Sequence, residues 1–238
     1  MTVANRGVAR SVRLFRSFRV EQSDPARFYG DLARDSLAIL AEHTPLQGAT
    51  LLDVGAGPAE FAAVFTASGA RYLPLDRDRD VPSLTDGGVV ASAERLPFAD
   101  GSLDIVFSSN LLEHVPAPMD VASEMVRVLR PGGVLFLSYT NWLSPWGGHE
   151  TSPYHWISGA YAARRYARRH GHRAKNVLGD NVFKVSVAEG VQWAHSREDV
   201  DILAVRPRYW PDSGRLLVQV PGVREVLTWN LLILLRKR

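Results

Sequence analysis

Cysteine is absent from the 238 residues. That excludes a disulfide framework, a thiolate metal site and a thiol nucleophile, and it fits a reducing, cytoplasmic compartment. Long apolar runs are missing as well. The richest late stretch, Leu231-Leu-Ile-Leu-Leu235, is far shorter than the roughly 20 residues that cross a bilayer, and reads as a buried last strand. No acid occurs in the first twenty positions, where Arg6, Arg10, Arg13, Arg16 and Arg19 crowd together. No nucleic-acid reader motif accompanies this cluster or the second one, which runs from Arg164 and Arg165 through Arg168, Arg169, His170, His172 and Arg173 to Lys175, so nucleic acid is not an expected partner. Internal repeats and low-complexity tracts are also lacking. With 46% hydrophobic and 22% charged residues, the chain has an ordinary globular composition, long enough for one domain with an inserted cap.

The most informative stretch is Thr50-Leu-Leu-Asp-Val-Gly-Ala-Gly-Pro-Ala-Glu-Phe61. Leu51 to Val54 reads as a parallel strand buried on both faces. Gly55 and Gly57 permit a tight turn whose backbone faces a ligand, and a helix is expected from about Ala59, with Pro58 in its first turn. Asp76 lies 19 residues after Gly57, at the end of the next apolar run. That spacing suits a carboxylate that takes the ribose hydroxyls of an adenosine ligand. The third glycine of the dinucleotide fingerprint is replaced by Glu60, which disfavours close helix approach to a pyrophosphate and so a dinucleotide-dependent oxidoreductase.

Further strands are expected at Tyr72–Leu75, Val89–Ala91, Leu103–Ser108, Val134–Tyr139, Val200–Val205 and Thr228–Leu235. Helices are expected after Asp24-Pro25, an N-cap and first-turn proline, and over Met119–Leu129, ended by Pro131-Gly-Gly133. Strands alternating with helices predict an α/β, doubly wound, mostly parallel sheet. The end of the fourth strand delivers Ser109, Asn110, Glu113 and His114 to the crevice where such sheets bind ligands.

Six segments in order, Leu52-Asp-Val-Gly-Ala-Gly57, Leu75-Asp76, Leu96-Pro-Phe98, Asp104-Ile-Val-Phe107, Leu112-Glu-His-Val115 and Arg127-Val-Leu-Arg-Pro-Gly-Gly133, resemble the class I S-adenosylmethionine-dependent methyltransferases. The resemblance spans residues 48–141. It implies a seven-stranded Rossmann-like sheet with an antiparallel last strand, and S-adenosylmethionine as cofactor. It also implies a cofactor site drawn from Asp53, Gly55, Ala56, Gly57, Asp76, Arg77, Ser92, Ala93, Glu94, Ser109 and Asn110. Asp76 would take the ribose diol, Asp53 and Gly55 the methionine part, and the Ala93 amide the adenine. Ser92 stands where the family usually has an acid.

The organisation expected is an N-terminal helical lid (1–47), the cofactor core (48–141), a substrate cap (142–182) and the rest of the core (183–238). Residues 6–20 form a basic amphipathic helix with Val8, Val12 and Phe15 on one stripe. It reads as a lid, as a surface that touches a membrane peripherally, or as a targeting segment. The cap gathers Trp142, Trp146, Tyr154, Trp156, Tyr161 and Tyr166, which suits a partly apolar small-molecule acceptor such as a natural product, glycoside or lipid. A hydroxyl acceptor needs a base near neutrality, and His114, His149 and His155 are the candidates. An amine or carbon acceptor needs less help, and a silent cofactor-binding protein would use the same glycine turn. No metal is expected: Asp76, Asp78 and Asp80 lack the glycine of a calcium loop, and Pro153 breaks a His-Glu-x-x-His pattern begun at His149.

Overall fold

The computed structural model describes residues 7–20, 23–58, 60–81, 84 and 87–238; the expectations for Arg6 and Ala59 fall outside them. Seven strands form one sheet: β1 (Thr50–Val54), β2 (Arg71–Asp76), β3 (Val89–Val90), β4 (Leu103–Ser109), β5 (Leu129–Thr140), β6 (Val200–Pro207) and β7 (Asn230–Lys237). Their order is β3-β2-β1-β4-β5-β7-β6. The first five run parallel, and β7 is antiparallel to both its neighbours. The order reverses between β1 and β4, which opens a crevice beyond their C-terminal ends.

Alternate residues of the central strands feed two cores. Leu52, Val54, Val106 and Leu135 face one side, together with α4 (Pro118–Val128) and α6 (Val187–Ser196). Leu51, Ile105, Phe107 and Phe136 face the other, under α1 (Val8–Phe18), α2 (Pro25–Leu40) and α3 (Ala62–Ala67). This is the continuous apolar pattern of strands covered on both faces.

Local signals explain most boundaries. The Asp24 carboxylate accepts from the Arg27 amide at 3.2 Å and Pro25 opens α2. Ser158 caps α5 (Gly159–His170), and Gly171 ends it in the left-handed region. Three expectations need correction. First, the helix after the glycine turn is α3 at Ala62–Ala67, with Glu60 and Phe61 still in turn. Second, Pro131-Gly-Gly133 does not separate helix from strand. β5 begins at Leu129 and bulges through these residues, its pairing with β4 stepping from Leu103↔Leu129 to Ile105↔Val134.

Third, the Val8, Val12 and Phe15 stripe of α1 faces outward, and the buried face is Arg10, Leu14 and Ser17. Arg10 is buried because Asp35 of α2 receives it bidentately, Nε to Oδ1 and Nη2 to Oδ2, both at 2.6 Å. Arg10 Nη2 also donates to the Arg208 carbonyl at 2.9 Å. The pair therefore fastens α1 to the C-terminal end of β6.

Residues 142–182 leave the sheet and return at one point, where the Trp142 amide donates to the Val185 carbonyl at 3.0 Å. They hold two short 3₁₀ turns, His149–Thr151 and Tyr154–Trp156, followed by α5. The short helix α7 (Val223–Leu227) precedes β7. No helix among the described residues is long and apolar enough to cross a membrane.

Candidate functional site

A cavity of about 250 Å³ lies in the crevice at the sheet's switch point, walled by Gly55, Leu75, Asp76, Arg77, Ala91, Ser92, Ala93, Glu94, Leu111, His114, Val115 and Pro116. Gly55 (φ +77°) and Gly57 (φ +50°) both adopt the left-handed region that side chains disfavour. At Gly55 a Cβ would sit 2.9 Å from Leu111 Cδ1, whereas above Gly57 the space is open. Asp76 ends β2 with its carboxylate over this turn, accepting from the Gly57 amide on Oδ2 and from the Asp78 amide on Oδ1, both at 3.1 Å. Ala91, Leu111, Val115 and Pro116 add apolar surface to the lining. Ser92 Oγ accepts from the Glu94 amide at 3.2 Å, so it orders the loop at the rim.

Of the residues expected to hold a cofactor, the structure brings Gly55, Asp76, Arg77, Ser92, Ala93 and Glu94 onto this wall. Asp53 is not on it. Its carboxylate is buried beneath the turn and accepts from the Tyr72 hydroxyl. Burial is the main cause that raises its pKa to about 7; the nearby Asp76 charge adds to the rise and the Tyr72 hydrogen bond opposes it. Ala56 and Gly57 continue the turn.

Ser109 and Asn110 lie at the end of β4 and are not among the residues that line the cavity. Asn110 sits at φ +59°, a strained conformation for a residue other than glycine. It is held by its amide to the Ser138 carbonyl and by Asn230 Nδ2 donating to its Oδ1, each at 2.8 Å. Ser109 Oγ accepts from Arg208 Nη1 at 2.8 Å.

Arg208 escaped sequence reasoning. It is fully buried, and its guanidinium also donates to Ser138 and to Ser36 of α2. Burial pushes its pKa down. Nothing near it in sequence announces this role, since its partners lie 70 to 172 positions away.

The three candidate bases separate clearly. His114 lines the cavity, and its ring centroid stands 5.2 Å from that of His149 in the 142–182 segment. Beneath them Glu113 is buried, with Oε1 accepting from the Thr140 amide at 3.0 Å. Burial raises the Glu113 pKa, partly opposed by His114. His149 has φ +50° and is driven down to about pKa 4, chiefly by burial and next by His114. His155 is buried away from the cavity, its Nε2 bonded to the Trp142 carbonyl at 3.0 Å. Glu150 does not orient an imidazole, because both its oxygens are taken by Asn176 at 2.8 and 3.0 Å.

A seven-stranded sheet in this order, with a glycine turn after β1 and a carboxylate at the end of β2, is the architecture of the class I S-adenosylmethionine-dependent methyltransferases. The comparisons agree, since residues 52–137 match the model of the methyltransferase domain family. A protein of Mycolicibacterium paratuberculosis described as an uncharacterized methyltransferase is 50% identical, over 96% of this chain and 94% of its own. One from Mycobacterium sp. strain KMS with the same description is 48% identical, over 96% and 95%. Among solved structures, an S-adenosylmethionine-dependent methyltransferase of Mesorhizobium loti shares the fold with a TM-score of 0.56 at 18% identity, covering 84% of this chain and 96% of its own. One from Aquifex aeolicus gives 0.54 at 13% identity, covering 93% and 98%. The chain belongs to the class I S-adenosylmethionine-dependent methyltransferases, within a group of relatives found in mycobacteria.

Proposed function

We propose that this methyltransferase acts on a hydroxyl oxygen of a small, partly apolar acceptor held between the cofactor cavity and the 142–182 segment. The observation that carries the reading is the meeting of His114 on the cavity wall with His149 of that segment, over the buried Glu113. It supports a polar group placed to take a proton where the two compartments join. An amine nucleophile would need no such group.

The cavity fits the cofactor in shape and donor set. Asp76 would offer its carboxylate to the ribose, the apolar lining residues would take adenine, and the open space at Gly57 would leave room for a chain passing the turn. When bound, S-adenosylmethionine supplies an electrophilic methyl on a cationic sulfur that departs as a neutral thioether. The protein's share is to bind and align, an effect worth up to roughly 7–11 kcal/mol when the reacting atoms are well oriented. Asp76 would hold the ribose. Asp53, beneath the turn, would face the methionine ammonium through the backbone of Gly55, and Asn110 would fix the sulfonium end. The acceptor's proton would leave toward the His114 and His149 group, as its oxygen forms the new bond to carbon.

The 142–182 segment would serve as acceptor cap. Trp146, Trp156, Ile157 and Tyr161 are exposed, as suits an apolar acceptor before it binds. α1 and α2 would form the N-terminal cover. The absence of cysteine supports a cytoplasmic site of action. The test is turnover of S-adenosylmethionine to S-adenosylhomocysteine with paired acceptors that differ only in hydroxyl against amine. Product from the hydroxyl member supports the reading; product from the amine alone overturns it.

A further inference from the structure

The Glu113, His114 and His149 group has the composition of a metal site. One ligand atom from each residue lies within 4.8 Å of the other two. Glu113 Oε1 is occupied by the Thr140 amide, and Oε2 is buried with no hydrogen-bond partner. His149 Nε2 is likewise buried with no partner. His114 Nδ1 lies 2.9 Å from the Asn181 carbonyl, so it is the protonated nitrogen and Nε2 carries the lone pair. Glu113 Oε2 and His149 Nε2 are thus left without a hydrogen-bond partner beside the His114 ring. Leaving a buried acceptor unsatisfied is unfavourable, and His149 holds its position with a left-handed backbone that is itself unfavourable. A bound cation would satisfy all three groups.

We propose that Glu113, His114 and His149 bind one divalent first-row transition-metal ion, of the zinc or iron(II) class, at the seam between the cofactor cavity and the 142–182 segment. Two imidazoles and one carboxylate form the donor set of catalytic zinc and of facial-triad iron sites. Ligand distances of about 2.0–2.2 Å require the side chains to close in by roughly an ångström. The outer contacts that such ligands need are present: the Asn181 carbonyl fixes the His114 tautomer and the Thr140 amide fixes the Glu113 carboxylate. Three protein ligands leave coordination positions open at the seam, where His114 lines the cavity and His149 belongs to the 142–182 segment. The assigned role, to hold and acidify the acceptor hydroxyl so that its proton passes to solvent in place of the two ligating imidazoles, rests on the hydroxyl reading given above; the ion site itself does not. The proposal departs from the expectation of no metal, which at His149 rested on the His-Glu-x-x-His pattern that Pro153 breaks; the fold sets His149 beside Glu113 and His114 instead.

The experiment uses the full chain stripped with chelator and titrated with cobalt(II) and zinc(II), without cofactor or acceptor. Stoichiometry is read by calorimetry and elemental analysis, and geometry by the visible absorption of cobalt(II). The expected result is one ion per chain and a cobalt(II) spectrum of low symmetry. Glu113→Gln and His149→Ala should each weaken binding at least about tenfold, while His172→Ala, in a separate group of rings with His170 and Tyr166, leaves it unchanged. Absence of saturable one-to-one binding by the wild-type chain at micromolar ion overturns the proposal, whether or not the variants fold. So does binding that is lost with His172→Ala and kept with His149→Ala. An ion bound at this site without hydroxyl methylation would refute the acceptor reading and leave the metal site standing.

Discussion

Removing the Asp35 carboxylate strands a buried cation. Arg10 and Asp35 are almost sealed from solvent and meet through two 2.6 Å contacts. In Asp35→Ala the Arg10 guanidinium keeps only the Arg208 and Trp210 carbonyls as partners, with no opposing charge in direct contact. Breaking a buried pair from one side typically costs about 3–5 kcal/mol. For a chain of this size each kcal/mol moves the melting temperature by about 2–4 °C, so the drop should be about 6–20 °C. Differential scanning calorimetry reads it directly. The double variant Arg10→Met/Asp35→Leu should melt above Asp35→Ala, since an apolar pair leaves no uncompensated charge. Because Arg10 also grips the Arg208 backbone, whose side chain holds Ser109, the single variant should also weaken cofactor binding. If Asp35→Ala melts with the wild type, or the double variant melts lower than either single, the pair does not fasten α1 as described.

Asp76→Ala should weaken S-adenosylmethionine binding by about 1.5–3 kcal/mol, the range for hydrogen bonds to a charged group; unchanged affinity in calorimetry would remove Asp76 from the ribose. Asp53 predicts a pH effect on stability. Its folded pKa of about 7 lies above its ordinary 3.8, so between those values the native state holds a proton that the unfolded chain has released. Stability should therefore fall as pH rises from 4 to 7 and level off above it, by up to about 4 kcal/mol. Urea midpoints across that range should lose this slope in Asp53→Asn, and a slope of opposite sign that disappears with the same substitution would refute the assignment. Gly55→Ala forces a methyl to within 2.9 Å of Leu111 at a left-handed φ. Cofactor affinity should drop together with a modest loss of melting temperature, whereas an unaltered protein would show that the turn tolerates side chains.

What was legible beforehand was local. The cap at Asp24-Pro25, the Gly55 and Gly57 turn, and the apolar runs of β1, β2 and β4 each sit within a few residues of their cause. Helix α6 was readable but missed: its capping box, Ser186 with Glu189, is the expected start signal. The rest depends on long-range pairing. Arg10 looked like one of a row of surface arginines until Asp35, 25 positions on, drew it inside. Nor could spacing join Glu113 and His114 to His149, because the whole length of α4 and β5 intervenes. The bulge through Pro131-Gly-Gly133 hid for a related reason, since proline and glycine ordinarily end a strand and only the register against β4 shows that this one continues.

The central claim is that the cavity beside Asp76 holds S-adenosylmethionine. Parallel calorimetric titration of the full chain with S-adenosylmethionine, S-adenosylhomocysteine and NAD tests it most directly. The fold and site predict one-to-one binding of both adenosyl sulfur compounds, lost or much weakened in Asp76→Ala, and none of NAD. Binding of NAD alone, or adenosyl binding indifferent to Asp76, would contradict it.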